Sequence, residues 1–263
     1  MMKRFAALLL VAITLVSSAV FAGAAADFDL RDFFPSDFGS DSDSGSDSGS
    51  DFGSFSGSVS VSVGDYVYFG SFDQDNVAGK EPIQWLVLEV SGNKALLISR
   101  YGLECKQFHT NSAGQTWENC SLRTWLNGTF YKNAFSADER KAIQHSFIDE
   151  SVSQSSPALP PARVGNSTQD YVFILSYAEA VKYLKKNTDR MCIPTAHALA
   201  SGGNKSDQAY LGGQRTCWYW LRSPAYKNNA VAVDWNGTIS SCFISHQYGV
   251  VRPCIWVDAD MAF

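Results

Sequence analysis

The chain has 263 residues, 45% of them hydrophobic and 18% charged, with a formal net charge of −5. The charge is unevenly placed: residues 27–58 hold eight Asp against one Arg, whereas residues 59–263 balance 18 basic against 18 acidic side chains. A neutral body without a Lys/Arg cluster lacks the basic footprint that nucleic acid or anionic lipid requires, so neither is an expected partner.

At the N-terminus, Lys3 and Arg4 precede an apolar run over residues 5–16. Ala22-Gly23-Ala24 and Ala24-Ala25-Ala26 then offer small-residue cleavage sites, and residues 1–26 read as a secretory signal peptide. The competing reading is an uncleaved anchor, but the run is short and broken by Thr14, Ser17 and Ser18. No Cys follows the cleavage region, and no second apolar segment reaches a bilayer-spanning length. The chain is therefore expected to be secreted or held at the cell surface, with no integral membrane span after signal removal.

Residues 27–58 become almost entirely Ser, Asp and Gly from residue 36, with Phe38, Phe52 and Phe55 scattered among them. Such a segment buries too little apolar area to offset its ordering entropy, and its Asp residues repel one another, so it reads as a flexible, disordered linker. The Asp spacing fits neither an EF-hand loop nor a nine-residue calcium repeat.

Residues 59–263 are long enough for one domain with a substantial core. Val59, Val61 and Val63 alternate with Ser, and residues 66–69, 83–90 and 95–98 read as strands, the last two joined at Gly92-Asn93. Leu122, Trp125, Leu126 and Phe130 recur at helical spacing. Ser136 with Glu139, and Ser176 with Glu179, are capping boxes that open helices toward Ile143 and Lys186. Residues 172–175 read as a strand, residues 201–216 as a Gly-rich polar loop, and the remainder as β. Strands, then two to three helices, then a C-terminal antiparallel sheet make an α+β domain.

Six cysteines in an exported chain favour disulfides, with Cys105–Cys120 and Cys242–Cys254 the local pairings and free buried thiols the alternative. The absence of Cys-x-x-Cys disfavours a zinc ribbon or thioredoxin-type site.

Two signatures near the C-terminus are sharper. Trp218-Tyr219-Trp220-Leu221-Arg222-Ser223-Pro224 and Gly249-Val250-Val251-Arg252-Pro253 each end a strand-forming run in Arg and Pro. They resemble the closing motifs of the bacterial domain-of-unknown-function family 6273, found in exported and surface proteins of gut-type Firmicutes. Residues 64–70 with 82–85, residues 117–127 and residues 135–139 are similar to its opening strands and first two helices, so the resemblance spans roughly residues 63–257. The extra Val at 250 or 251 departs from the family's commoner Gly-Val-Arg-Pro. The resemblance implies an arrangement similar to C-type lectin-like domains and to formylglycine-generating enzymes, which is analogy of fold and not of function. It also implies a bacterial source, in which the sequons at Asn119, Asn127, Asn166, Asn204 and Asn236 are incidental.

No catalytic constellation is evident. His109, His145, His197 and His246 have no ligand spacing, there is no nucleophile elbow or P-loop, and Asp149-Glu150 reads as a solvated turn. Cys242 and Cys254 are too far apart for the formylglycine-generating pattern. Trp235-Asn236-Gly237 lacks the Asp of a lectin calcium triplet. No metal and no cofactor is expected. Arg222, Arg252, Trp220 and Trp125 are assigned to the scaffold, the arginines tying strand ends to Asp234, Glu179 or backbone carbonyls. Trp218 is grouped with the core, and Trp235, beside the Asn236-Gly237 turn, is expected to be half exposed. The candidate ligand contacts are aromatic and amide residues at turns: Tyr226, Asn228, Asn229, Trp235, Asn236, His246, Gln247 and Tyr248. The expected role is a non-catalytic binding domain for a glycan or protein surface. The alternatives are an enzyme on a formylglycine-generating-like scaffold and a structural surface domain without a small ligand.

Overall fold

The computed structural model describes residues 61–111, 116–161 and 163–263. The signal peptide expected over 1–26 and the linker expected over 27–58 lie outside them. The described part opens with an antiparallel meander, β1 (Tyr66–Phe72), β2 (Glu81–Ser91) and β3 (Lys94–Ser99). The expected strand around Val61 and Val63 is a turn, and pairing starts at Tyr66. In β2, Ile83, Trp85 and Val87 are buried while Gln84 and Leu86 between them are half-buried, the two-residue period of a sheet with one face on the core. Gly92 takes the positive φ of 61° at the first position of the two-residue β2–β3 loop, as a Gly-first hairpin loop requires.

After the short β4 (Glu104–Cys105) comes the helical section. Helix α1 (Ser121–Trp125) runs through a wider π-type turn at Leu126–Phe130 into α2 (Tyr131–Ala134), and α3 (Glu139–Ala142) follows. Ser136 Oγ accepts from the Glu139 N–H at 3.2 Å, and Glu139 Oε2 accepts from the Ser136 N–H at 2.7 Å, so the first capping box is formed. Strands β5 (Ser146–Ile148) and β6 (Thr168–Asp170) make a separate ribbon. Residues 172–175 do not extend a sheet; Phe173 makes one bridge to Cys254. The second capping box opens α4 (Tyr177–Tyr183), which stops short of Lys186 and is followed by α5 (Asn187–Arg190) and α6 (Ala196–Ala200).

The expected loop at 201–216 is instead a hairpin, β7 (Lys205–Leu211) with β8 (Gln214–Cys217). Its residues are mostly polar and exposed, so no hydrophobic alternation marks it. Then come β9 (Tyr219–Pro224), β10 (Asn229–Val233), β11 (Ile239–Phe243), β12 (Val250–Val251), β13 (Cys254–Asp258) and α7 (Ala259–Ala262).

Among the described residues the strands form a sheet in the order β1-β2-β3-β13 and a second in the order β11-β10-β9-β12-β4. The fold class is α+β. The C-terminal sheet is not wholly antiparallel, because β12 runs parallel to β9. Nor is the last strand part of it: the chain leaves the second sheet at Val251, turns at Arg252-Pro253 and pairs as β13 with β3 of the first sheet. Trp85, Trp117 and Trp220 are fully buried in the core beneath both sheets. No helix among the described residues is long and apolar enough to cross a membrane.

All six cysteines are free thiols, so neither Cys105–Cys120 nor Cys242–Cys254 is a disulfide. The fold brings together a different pair. Cys192 and Cys217 face each other in a bridge, with the Cys217 N–H donating to Cys192 O at 2.8 Å and the two thiols in contact inside the core.

Candidate functional site

The β10–β11 loop decides where the exposed aromatics stand. Asp234 N–H donates to Thr238 O and Gly237 N–H to Asp234 O, both at 2.8 Å, leaving Trp235, Asn236 and Gly237 as a three-residue loop. Gly237 takes the left-handed φ of 78° that such a loop needs at its last residue. The loop is held from outside as well. Arg190 Nε donates to Gly237 O at 2.8 Å, and the buried Thr216 Oγ1 donates to Trp235 O at 2.8 Å. Asn236 Oδ1 accepts from Thr238 N and Oγ1 at 3.1 and 2.7 Å. A β-carbon on Gly237 would fall 1.8 Å from Asn187 O, so the loop is pressed directly onto α5.

Trp235 thus stands 45% exposed on a rigid support. It forms one wall of a cleft of about 420 Å³. His246 and Tyr248, from the segment after β11, also line it. Their rings meet edge to face at 5.3 Å, and His246 meets Trp218 in the same way at 5.4 Å. Tyr248 N–H donates to His246 Nδ1 at 3.4 Å. From the sheet, Ala232 of β10 and Ser240, Ser241 and Cys242 of β11 line the cleft, Ala232 pairing with Ser240. Asp234 lines the cleft, its Oδ1 accepting from Ser240 Oγ at 2.7 Å and its Oδ2 from Thr238 Oγ1 at 3.4 Å. Each carboxylate oxygen keeps further acceptor capacity. Burial pushes the Cys242 thiol above its ordinary value, so it is a poor nucleophile at neutral pH. An exposed indole, a phenol, an imidazole, a carboxylate and two hydroxyls around small residues make a surface for stacking and hydrogen bonding.

Residues 92–259 match the family described as Domain of unknown function (DUF6273). The chain belongs to that family. Curated proteins and solved structures contain no match to it. The DUF6273 match covers both C-terminal signatures and the whole cleft, while β1 and β2 precede it.

Within this DUF6273 domain the eight expected contact residues do not share one place. Trp235, His246 and Tyr248 line the cleft. Asn236 turns its Oδ1 onto its own loop, where it accepts from Thr238. Tyr226 is exposed, but with Asn228 and Asn229 it lies at the other end of β10. Asn229 Nδ2 donates to Ser241 Oγ at 3.2 Å, and its Oδ1 is buried with no hydrogen-bond partner. Gln247 lines a separate cleft with Lys106 and Trp125. Trp125 itself is half-buried at that cleft rather than enclosed in the core, with the Lys106 ammonium 4.8 Å from its ring centre. Trp218, grouped with the core, is mostly buried but shows an edge to the cleft. Asp234 and Ser240 were not anticipated as contacts; the signal was available in a carboxylate directly preceding the turn tryptophan.

The scaffold residues differ sharply among themselves. Trp220 is fully buried and its Nε1 donates to Lys106 O at 2.9 Å. Arg222 is fully buried and every donor is used. Nε donates to Glu150 at 2.7 Å, Nη1 to Ile174 O at 2.9 Å and to Glu179, and Nη2 to Glu179 at 2.8 Å and Asp149 O at 3.3 Å. Asp234 is not among its partners, and Asp149-Glu150 is not a solvated turn, since Glu150 is buried against this guanidinium. Among the described residues Arg252 is tied only to Ser99 O at 2.8 Å and, weakly, to Tyr219 Oη at 3.5 Å.

His197 is less isolated than its sequence position implied. Its ring lies between Asp73 and Glu104, each 3.4 Å away, with Ser201 Oγ at 3.5 Å. Asp73, Asp75 and Glu81 bring carboxylate oxygens within 4.8 Å of one another. Backbone N–H groups of Asn76, Val77 and Gln74 already donate to them, which is the hydrogen bonding of an ordinary acidic loop.

Proposed function

We propose that the chain is an exported bacterial protein, carried to the cell surface or beyond by the signal at 1–26, with an acidic linker at 27–58 spacing a non-catalytic binding domain of C-type lectin-like arrangement. The ligand class is a glycan, taken up in the cleft of Trp235, His246 and Tyr248. The observation that carries this reading is the support under Trp235. Arg190 and Thr216 hydrogen-bond to the backbone of its loop, and Gly237 abuts Asn187, so the exposed indole is held in place. A rigid aromatic face next to Asp234, Ser240 and Asn204 suits the apolar face and hydroxyl edge of a sugar ring.

The alternative enzyme on a formylglycine-generating-like scaffold needs an accessible pair of thiols. Cys192 and Cys217 are adjacent, but both are wholly enclosed, which weighs against it. Glycan-array screening and cell-wall pull-down with the wild type and Trp235→Ala test the proposal. Binding that is lost in the variant supports it; binding that survives unchanged moves the ligand elsewhere on the domain.

A further inference from the structure

Arg222 and Arg252 end the two signatures and are equally buried, at 0% and 4% exposure, but only one of them is neutralised. Arg222 meets two carboxylates. Arg252 meets none among the described residues. Its Nε donates to Ser99 O, its Nη1 reaches Tyr219 Oη, and its guanidinium lies 5.5 Å from the Tyr219 ring centre. Among the described residues its Nη2 makes no hydrogen bond, yet it is not one of their enclosed orphan atoms, since Asn229 Oδ1 alone holds that position. The free edge of Arg252 therefore opens onto the cavity that it lines, a space of about 530 Å³.

A guanidinium does not deprotonate to escape burial, and an uncompensated buried charge is strongly destabilising. The cavity supplies a second cation. Arg100 lines it and stacks on Tyr66 and Tyr101, bonded to the neutral Gln84 Oε1 at 2.7 Å and to no carboxylate among the described residues. The one carboxylate in the lining, Asp189, is engaged by Lys186 N at 3.0 Å and Thr188 Oγ1 at 3.4 Å. Two arginines thus share a cavity whose lining holds one carboxylate, and that carboxylate hydrogen-bonds to neither of them. Leu86, Leu184 and Leu211 give it apolar sides.

The geometry points to a binding site for a small organic carboxylate, its charged group on the free edge of Arg252 and its apolar body against Leu86, Leu184 and Leu211. One open guanidinium edge in apolar walls suits a monoanion with a hydrophobic body better than inorganic phosphate, which asks for more donors. The cavity lies apart from the Trp235 cleft, and either site can fail without the other.

The test is calorimetric titration of the full chain at fixed ionic strength with sodium benzoate, with benzyl alcohol as its neutral counterpart, and with sodium phosphate. Saturable benzoate binding at least about tenfold tighter than benzyl alcohol or phosphate is expected. Because Arg252→Ala removes a buried anchor and endangers folding, Thr188→Glu is the second variant: it places a competing carboxylate at the exposed rim and should weaken benzoate about tenfold. Benzyl alcohol binding as well as benzoate would show that Arg252 is not read, and phosphate binding as well would overturn the ligand class. Absence of saturable benzoate binding would overturn the site. So would a thiolate ultraviolet band in the native protein that disappears in Cys192→Ser, because the counter-charge would then be internal.

Discussion

Gly249 lies so close to the indole of Trp220 that a β-carbon at 249 would sit 1.9 Å from Nε1. The first residue of one signature is thereby fixed by the central tryptophan of the other. The indole cannot retreat, since its N–H is bonded to Lys106 O and its ring is enclosed. Gly249→Ala should cost about 3 kcal/mol or prevent folding, measured by urea denaturation. Gly128→Ala, where a β-carbon meets nothing, should be neutral or stabilising by up to about 1 kcal/mol. Equal effects at the two positions would refute the steric account.

Arg222→Ala leaves the Glu150 and Glu179 carboxylates without their partner, and should destabilise by about 3–5 kcal/mol. Trp235→Ala, at a position that the core does not enclose, should change stability by less than about 1 kcal/mol. Equilibrium unfolding of both variants decides this. An Arg222→Ala protein that folds normally and loses only ligand binding would reverse the division between scaffold and site.

One guanidinium with two carboxylates carries a surplus negative charge into the core. Burial pushes Glu150 up to about 7 from its ordinary 4.5, with Arg222 pulling the other way. The folded state therefore keeps a proton between those two values that the unfolded chain has released. The contribution is fully present below pH 4.5 and is lost as pH rises through 7, with an upper limit of roughly 3 kcal/mol. Urea midpoints should decline over that window in the wild type and decline less in Glu150→Gln. Parallel slopes in the two proteins would place the titrating group elsewhere.

Cys242 is half-buried at the cleft while the other five thiols are buried. Native alkylation at mildly alkaline pH should therefore modify Cys242 first, as peptide mass spectrometry would show. A glycan in the cleft should slow it. Prior reaction at any other cysteine would mean that the core opens more readily than its packing implies.

Local features were legible in the sequence and long-range ones were not. The Ser136–Glu139 and Ser176–Glu179 boxes were readable because both partners lie within one turn, and Gly92 because its turn needs nothing distant. The β7–β8 hairpin was missed because residues 205–211 are polar and its pairing, Lys205 with Cys217 and Tyr210 with Arg215, includes a register shift. The parallel contact of Val250 with Tyr219 has no local signature at all. At the site, Trp235, His246 and Tyr248 were visible as aromatics at turns. That they converge, and that Asn228 and Gln247 do not join them, follows from strand direction, which no spacing records.

The crossing of the chain at Arg252-Pro253 has a consequence for the order of events in synthesis. Residues 254–258 supply the neighbour of β3, Gln144 N–H is bonded to Trp256 O at 2.8 Å, and the Phe263 ring meets Phe69 at 6.3 Å. The first sheet therefore stays unfinished, with the edge of β3 bare, until residues 254–258 have been made. A pairing so distant along the chain slows folding and leaves an aggregation-prone edge in any chain that stops short of β13.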